Sequence, residues 1–171
     1  MLICLDVHYL DQSAVTAGVG FRAWESEDVG FSVVSRQVGS PHPYQPGAFY
    51  RRELPLLQTV FQYVMERPKI VVVDGYVRLG ESRAGLGAHL YHALGETTAV
   101  VGVAKNRFAS AQGAIEVKRG ESSRPLYVSA IGMAPEAAAE GVRRMAGPYR
   151  IPTMLKTVDS LARSLAQGGV R

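Results

Sequence analysis

Apolar positions along this chain fall into a strand rhythm first and a mixed helix-and-strand rhythm afterwards. Residues 2–9, 14–24 and 29–38 are rich in β-branched, aromatic and aliphatic side chains. The polar groups Asp11-Gln12-Ser13 and Glu25-Ser26-Glu27-Asp28 interrupt them. Short β-rich runs separated by polar turns predict an antiparallel meander of three strands. A link follows, Gly39 to Gly47, holding Pro41, Pro43 and Pro46. Proline fixes φ and removes freedom from the unordered chain, so the link is expected to be stiff. From Tyr50 to about Arg67, Leu54, Leu57, Val60, Phe61 and Val64 keep the helical period, and Pro68 marks its end.

The second half alternates. Residues 69–74 read as a strand buried on both faces, being almost wholly apolar. Residues 75–87 form a loop with Gly75, Gly80, Gly85 and Gly87, followed by a helix over 88–94 and a second buried strand over 97–104. A hairpin is predicted from 114–118 and 125–130, with two helices over 135–145 and 152–166. No repeat and no domain boundary interrupts this order, and 171 residues suffice for one domain with a substantial core. A meander followed by alternating helix and strand predicts an α/β fold of the ribonuclease H-like kind, a mixed sheet of three antiparallel strands plus parallel strands, flanked by helices. An open Rossmann-type sheet is disfavoured by the three leading hairpin strands.

Composition narrows the function classes. Cys4 is the only cysteine, which excludes a disulfide scaffold, a cysteine-ligated zinc site and CxxC redox chemistry within one chain. No basic n-region with a following apolar stretch marks a secretory signal, and no run is long and apolar enough to span a bilayer. A cytoplasmic monomer without membrane contact is therefore expected. The net charge of +4 mildly favours a polyanionic partner. His8, His42, His89 and His92 show no metal-ligand spacing, and the glycines of 80–87 lack the G-K-[ST] ending of a phosphate loop.

Three acids stand out: Asp6 inside an apolar strand, Asp74 at the end of another, and Glu53 near the start of a helix. Each has an ordinary explanation alone: a strand-closing turn for Asp6, the helix macrodipole for Glu53, an Asp-Gly turn for Asp74. Together they suggest a shared site. A carboxylate on a buried strand is costly unless paired or bound to a cation. Clustered carboxylates do not stay ionised together without one. Mg²⁺ suits such oxygen donors.

Five segments carry a family resemblance. Pro43-Tyr44-Gln45-Pro46-Gly47 with Phe49-Tyr50-Arg51-Arg52-Glu53-Leu54-Pro55 resembles the P-Y-x-P-G…F-R-E-x-P block of endonuclease V. Ile70 to Gly75 resembles its apolar strand ending in D-G, and Gly85 to Leu90 its G-[IL]-A-S-H-L segment. Val101 to Asn106 resembles its I-G-V-A-K-[SN] strand, and Tyr149-Arg150-Ile151-Pro152 its Y-R-[LI]-P start to the last helix. The blocks occur in family order across most of the chain. The resemblance implies an endonuclease dependent on Mg²⁺, with Mn²⁺ as a substitute, cutting 3′ to a deaminated purine (inosine) at the second phosphodiester bond. Asp6, Glu53 and Asp74 match the metal-binding acids. Lys105 matches the lysine near the scissile phosphate, and Tyr44 the wedge tyrosine that separates strands at the lesion. Arg52 and Arg83, with Arg51, Arg78 and Arg107, become candidate nucleic-acid contacts.

The chain also departs from the pattern. The stretch Val128 to Met133 holds no counterpart of the family's G-H histidine, and Glu136 is the carboxylate nearest in sequence. The loop Asp74 to Arg83 lacks both histidines of D-G-H-G-x-A-H-P-R. The match opens directly on the first strand, without the preceding helical segment of most members, as in a short or divergent relative. Two alternatives therefore stay open: a catalytically weak nucleic-acid-binding module, and a nuclease acting on flaps, mismatches or unmodified single strands.

Overall fold

The computed structural model describes residues 1–39, 49–109, 111 and 113–167. Among them, the meander is β1 (Leu2–Leu10), β2 (Ser13–Phe21) and β3 (Phe31–Val38). Helix α1 (Phe49–Phe61) leads to β4 (Ile70–Asp74), α2 (Leu86–Ala93) and β5 (Ala99–Ala104). The hairpin β6 (Ile115–Val117) and β7 (Leu126–Ile131) precedes α3 (Pro135–Arg144) and α4 (Thr153–Gln167). One sheet runs β3-β2-β1-β4-β5-β7-β6. The pairs β1–β4 and β4–β5 are parallel and the other pairs antiparallel, which is the mixed ribonuclease H-like sheet expected from the sequence.

The sheet buries both faces because its central strands are apolar apart from positions toward their carboxyl ends. Ile3, Leu5, Val71, Val73 and Val100 pack beneath Leu57 and Val60 of α1 and Leu90 of α2. Cys4, Val72, Val101 and Val103 pack beneath Val142 of α3 and Met154 and Val158 of α4. Since successive strand residues alternate in facing, Asp6 continues the α4-side row of Cys4, and Asp74 that of Val72.

Several boundaries differ from the sequence reading. Strand β2 stops at Phe21, because the Ala23 N–H bonds the Ser26 hydroxyl and the Ser26 N–H bonds the Ala23 carbonyl, both at 3.0 Å. That turn lays Trp24 under α3, where Gly141 leaves room for the indole. Helix α1 ends at Phe61 rather than near Arg67. Gln62, Tyr63 and Val64 bond back three residues, a tightened last turn, and Arg67 reaches across to the Leu94 carbonyl and the Thr98 hydroxyl. Residues 95–98 are turn, so β5 starts at Ala99.

Glycine is required at one place that bears on the site. A Cβ on Gly102 of β5 would stand 2.5 Å from the Gly75 carbonyl oxygen and 3.0 Å from both Val77 N and Ser129 Oγ. The loop after Asp74 therefore lies directly on β5, with the Val77 N–H donating to Ser129 Oγ at 3.0 Å. Gly102→Ala is expected to destabilise the protein by about 1–3 kcal/mol through overpacking, read as a lowered urea midpoint with an unchanged m-value.

Candidate active site

Register brings the two strand acids together. In the parallel β1–β4 ladder Leu5 lies opposite Val73, so Asp6 and Asp74 follow side by side at the carboxyl ends of adjacent strands. Lys105 leaves the end of β5 beside them and donates from Nζ to Asp74 Oδ2 at 2.7 Å. Both partners are about half exposed, 49% and 48%, so this pair contributes little to stability.

Asp6, Asp74 and Lys105 line a cavity of about 360 Å³. Its far wall is α4, which presents Asp159. This residue was not singled out in the sequence, because Asp159 and Arg163 form an ordinary i,i+4 ion pair at 2.9 Å. The available signal was its phase: Leu155, Asp159 and Ala162 recur at the inward spacing of an amphipathic helix. Neither of the residues near the missing histidine fills this role. Met133 packs on the α3/α4-side core, and Glu136 is exposed in the first turn of α3.

Glu53 approaches from the opposite face. It is 6% exposed on α1, and Tyr9, an α1-side residue of β1, donates its hydroxyl to Glu53 Oε1 at 2.6 Å. The Arg52 guanidinium covers the Tyr9 ring at 3.5 Å from its centroid, with its Nε buried and unpartnered. Arg52 thus serves the packing of this acid as well as facing outward. Glu53 lies close enough to feel the charges of Asp6 and Asp74. It does not complete a closed cage: among the described residues, no three His, Cys, Asp or Glu side chains gather tightly enough to grip one ion.

The electrostatics record the crowding. Burial, then the charges of Asp159 and Asp74, push the Asp6 carboxyl up to about 6. Burial pushes Glu53 up to about 7, against the Tyr9 hydrogen bond, with Asp6 adding to the rise. Burial works against the Lys105 ammonium, yet its hydrogen bond to Asp74 and the charges of Asp74, Asp6 and Asp159 hold its pKa above the ordinary value.

Around the site, Tyr76 stands where the first loop histidine of the resembled pattern would be. It is 8% exposed, donates to the Asn106 carbonyl at 2.7 Å and accepts the Phe108 N–H at 3.1 Å. Tyr76 thereby ties the loop after β4 to the segment after Lys105. Arg78, Arg83 and Arg107 are exposed on these loops, and Arg51 is exposed on α1. His89 stacks on Tyr50 at 3.5 Å between ring centroids, joining α2 to α1. Tyr44 lies outside the described residues. No helix among the described residues is long and apolar enough to cross a membrane.

The model of the Endonuclease V family matches residues 1–160. Endonuclease V of Rhodospirillum centenum is 31% identical over 134 residues, covering 66% of this chain and 55% of that protein. Endonuclease V of Gloeobacter violaceus is 31% identical over 147 residues, covering 72% and 59%. The chain thus spans little more than half the length of these relatives. The crystal structure of Endonuclease V from Streptomyces avermitilis superposes with a TM-score of 0.79 at 25% identity, over 98% of this chain and 82% of that one. Ciona intestinalis Endonuclease V, in complex with a 24mer DNA containing an inosine followed by a ribo-adenosine, superposes with a TM-score of 0.83 over 99% and 87%. At 19% identity, that second likeness speaks for the fold. Matched over nearly its whole length by the family's model, the chain belongs to the Endonuclease V family.

Proposed function

We propose that this protein is a metal-dependent endonuclease that hydrolyses a phosphodiester bond 3′ to a deaminated purine (inosine) in DNA or RNA. The observation that carries the reading is the side-by-side pair Asp6 and Asp74, with Lys105 bonded to it and Asp159 across a shared cavity. Family membership and the inosine-containing DNA bound by the Ciona relative support the substrate class.

The donor set fits a hard divalent ion. All four acids offer oxygen ligands, and Mg²⁺ characteristically takes one or two carboxylates, several waters and substrate phosphate oxygens rather than an all-protein cage. The upward shifts of Asp6 and Glu53 describe carboxylates whose charge the site leaves under-compensated, which a cation would relieve. Asp6 and Asp74 would hold the ion, with Glu53 behind them, oriented by Tyr9. Bound there, it would supply a water of lowered pKa and neutralise developing charge. Lys105 would donate to a non-bridging oxygen of the scissile phosphate. Tyr44 would stack where the base is displaced, and Arg52 and Arg83 would contact the strand.

A second reading, a nuclease of altered base preference, is favoured by Tyr76. Its hydroxyl is spent on the Asn106 carbonyl and the Phe108 N–H, so it offers no free imidazole-like group to a purine.

With Mg²⁺ or Mn²⁺, cutting at the second bond 3′ of a single inosine in DNA and RNA is expected on denaturing gels. Asp6→Ala should abolish it, and Lys105→Ala should slow it by about 10²–10³-fold. No cutting by the wild type, or equal cutting by Asp6→Ala, removes the nuclease reading. Equal cutting when adenine replaces inosine selects the altered-preference reading.

Stability provides a separate check on the crowded carboxylates. The Glu53 carboxyl stands near 7 in the folded protein against 4.5 for the free group, and Asp6 near 6 against 3.8. The folded state holds these protons more tightly. Its advantage is present below the unfolded values and is lost as pH rises through about 6–7. In metal-free buffer, Glu53→Gln should therefore stabilise the protein at pH 8 by on the order of 2–3 kcal/mol and by under about 1 kcal/mol at pH 5, measured by thermal denaturation at each pH.

A further inference from the structure

Tyr149 is 69% exposed and lines the cavity of the acids, on the segment joining α3 to α4. That segment is held firmly. Arg119, only 6% exposed, donates to the carbonyls of Tyr149 at 2.8 Å, Gly147 at 3.1 Å and Arg143 at 3.3 Å, and also to that of Met145. The adjoining Arg150 donates to the Pro125 carbonyl at 2.8 Å and to the carbonyl of Lys105 itself. A main chain tied this closely presents its one exposed ring in a fixed place, so stacking on it costs little ordering. Lys156 of α4 lies 5.9 Å from the ring centroid, on the cavity rim.

The cavity that this ring shares with the acids has an apolar part of its lining, Val103, Leu126, Ile151 and Leu155. An apolar wall, an aromatic platform, a metal-competent carboxylate pair at one side and a cation at the other match a nucleoside flanked by two phosphates. The cavity also lies on the α3/α4 face. The loop after Asp74 lies on the other face, with Val77 against Gly87 of α2. Glu53 of α1 is on that other face too. Under the nuclease reading, with the base met by the loop of Tyr76 on the α1/α2 face, a strand whose phosphate reaches Asp6 and Asp74 continues onto the α3/α4 face.

We propose that Tyr149 and the apolar wall beside it seat the nucleoside immediately 3′ of the scissile phosphate, with Lys156 pairing the phosphate beyond it. This rests on the nuclease reading above, under which the seated nucleoside is the second one 3′ of the inosine. Base–aromatic stacking tolerates any base, so the seat adds grip on the downstream product without sequence preference.

The test places 2-aminopurine at that position in an inosine-containing strand and follows its fluorescence in EDTA at saturating protein, with occupancy read by anisotropy. The wild type and Tyr149→Phe are expected to quench it, and Tyr149→Ala to leave it bright. In Mg²⁺, Tyr149→Ala should cut the normal strand about 10-fold more slowly. It should cut a strand abasic at that position no more slowly than the wild type does. Lys156→Gln should lower the salt slope of binding by about one. Quenching that survives Tyr149→Ala, or an equal rate loss on the abasic strand, overturns the seat. Normal cutting without Tyr149-dependent quenching removes the seat and leaves the nuclease reading intact. Tyr149-dependent quenching without cutting under any ion removes the nuclease reading and leaves the seat as a strand-binding feature.

Discussion

Parallel pairing of β1 with β4 is the constraint on which the rest depends. It fixes Asp6 beside Asp74 at the ends of two strands that are otherwise apolar, and no side-chain rotation can take either acid far from the other. The protein meets the resulting repulsion only in part. Lys105 covers Asp74 from β5, while Asp159 on α4 adds a further negative charge to the side of Asp6. A fold optimised only for stability would place Asn or Ser at one of these positions. Under the proposed function, the under-compensated charge would make the site receptive to a cation, and the carboxyl ends of parallel strands are where such sheets present their ligands.

The sheet also divides labour between its faces. Helices α1 and α2 cover one face, and with them lie Glu53, Tyr9, Arg52 and the loop after Asp74. Helices α3 and α4 cover the other, with Asp159 and the cavity. The acids at the strand ends lie where the two faces meet. Gly102 matters to this arrangement because its missing side chain lets the loop rest on β5 next to Asp74.

Much of this was legible in the sequence. The apolar runs gave the strands, the helical period gave α1 and α4, and the order of elements gave the mixed sheet. Asp6, Asp74 and Lys105, read from separate segments, do meet. What was hidden depends on contacts that no local pattern encodes. Trp24 looked like the end of a strand but leaves it to pack under α3. The last turn of the predicted first helix is lost because Arg67 bonds across to Leu94 and Thr98. Asp159 resembled half of a surface ion pair, and only the packing of α4 against β1 brings it to the site. Glu53 comes to the acids from α1 on the opposite face, close enough to feel the charges of Asp6 and Asp74, with its carboxylate held by Tyr9.

The basic composition also takes on a different meaning. A net charge of +4 suggested a polyanionic partner, but several arginines are engaged by contacts within the protein. Arg119 holds the segment between α3 and α4, Arg150 joins that segment to the carbonyl of Lys105, Arg67 anchors the start of β5, and Arg52 lies over Tyr9. Guanidinium suits these roles because its fork of donors satisfies several carbonyls at once, which an ammonium does less well. Among the described residues, exposed cations near the acids include Lys105 beside Asp74, Arg78, Arg83 and Arg107 on the loops, Arg51 on α1 and Lys156 on the cavity rim. Their positions, on both sides of Asp6 and Asp74, carry more information than the total charge. Under the proposed function, they mark a path across the ends of the strands along which a bound strand would bring a phosphate to the acids.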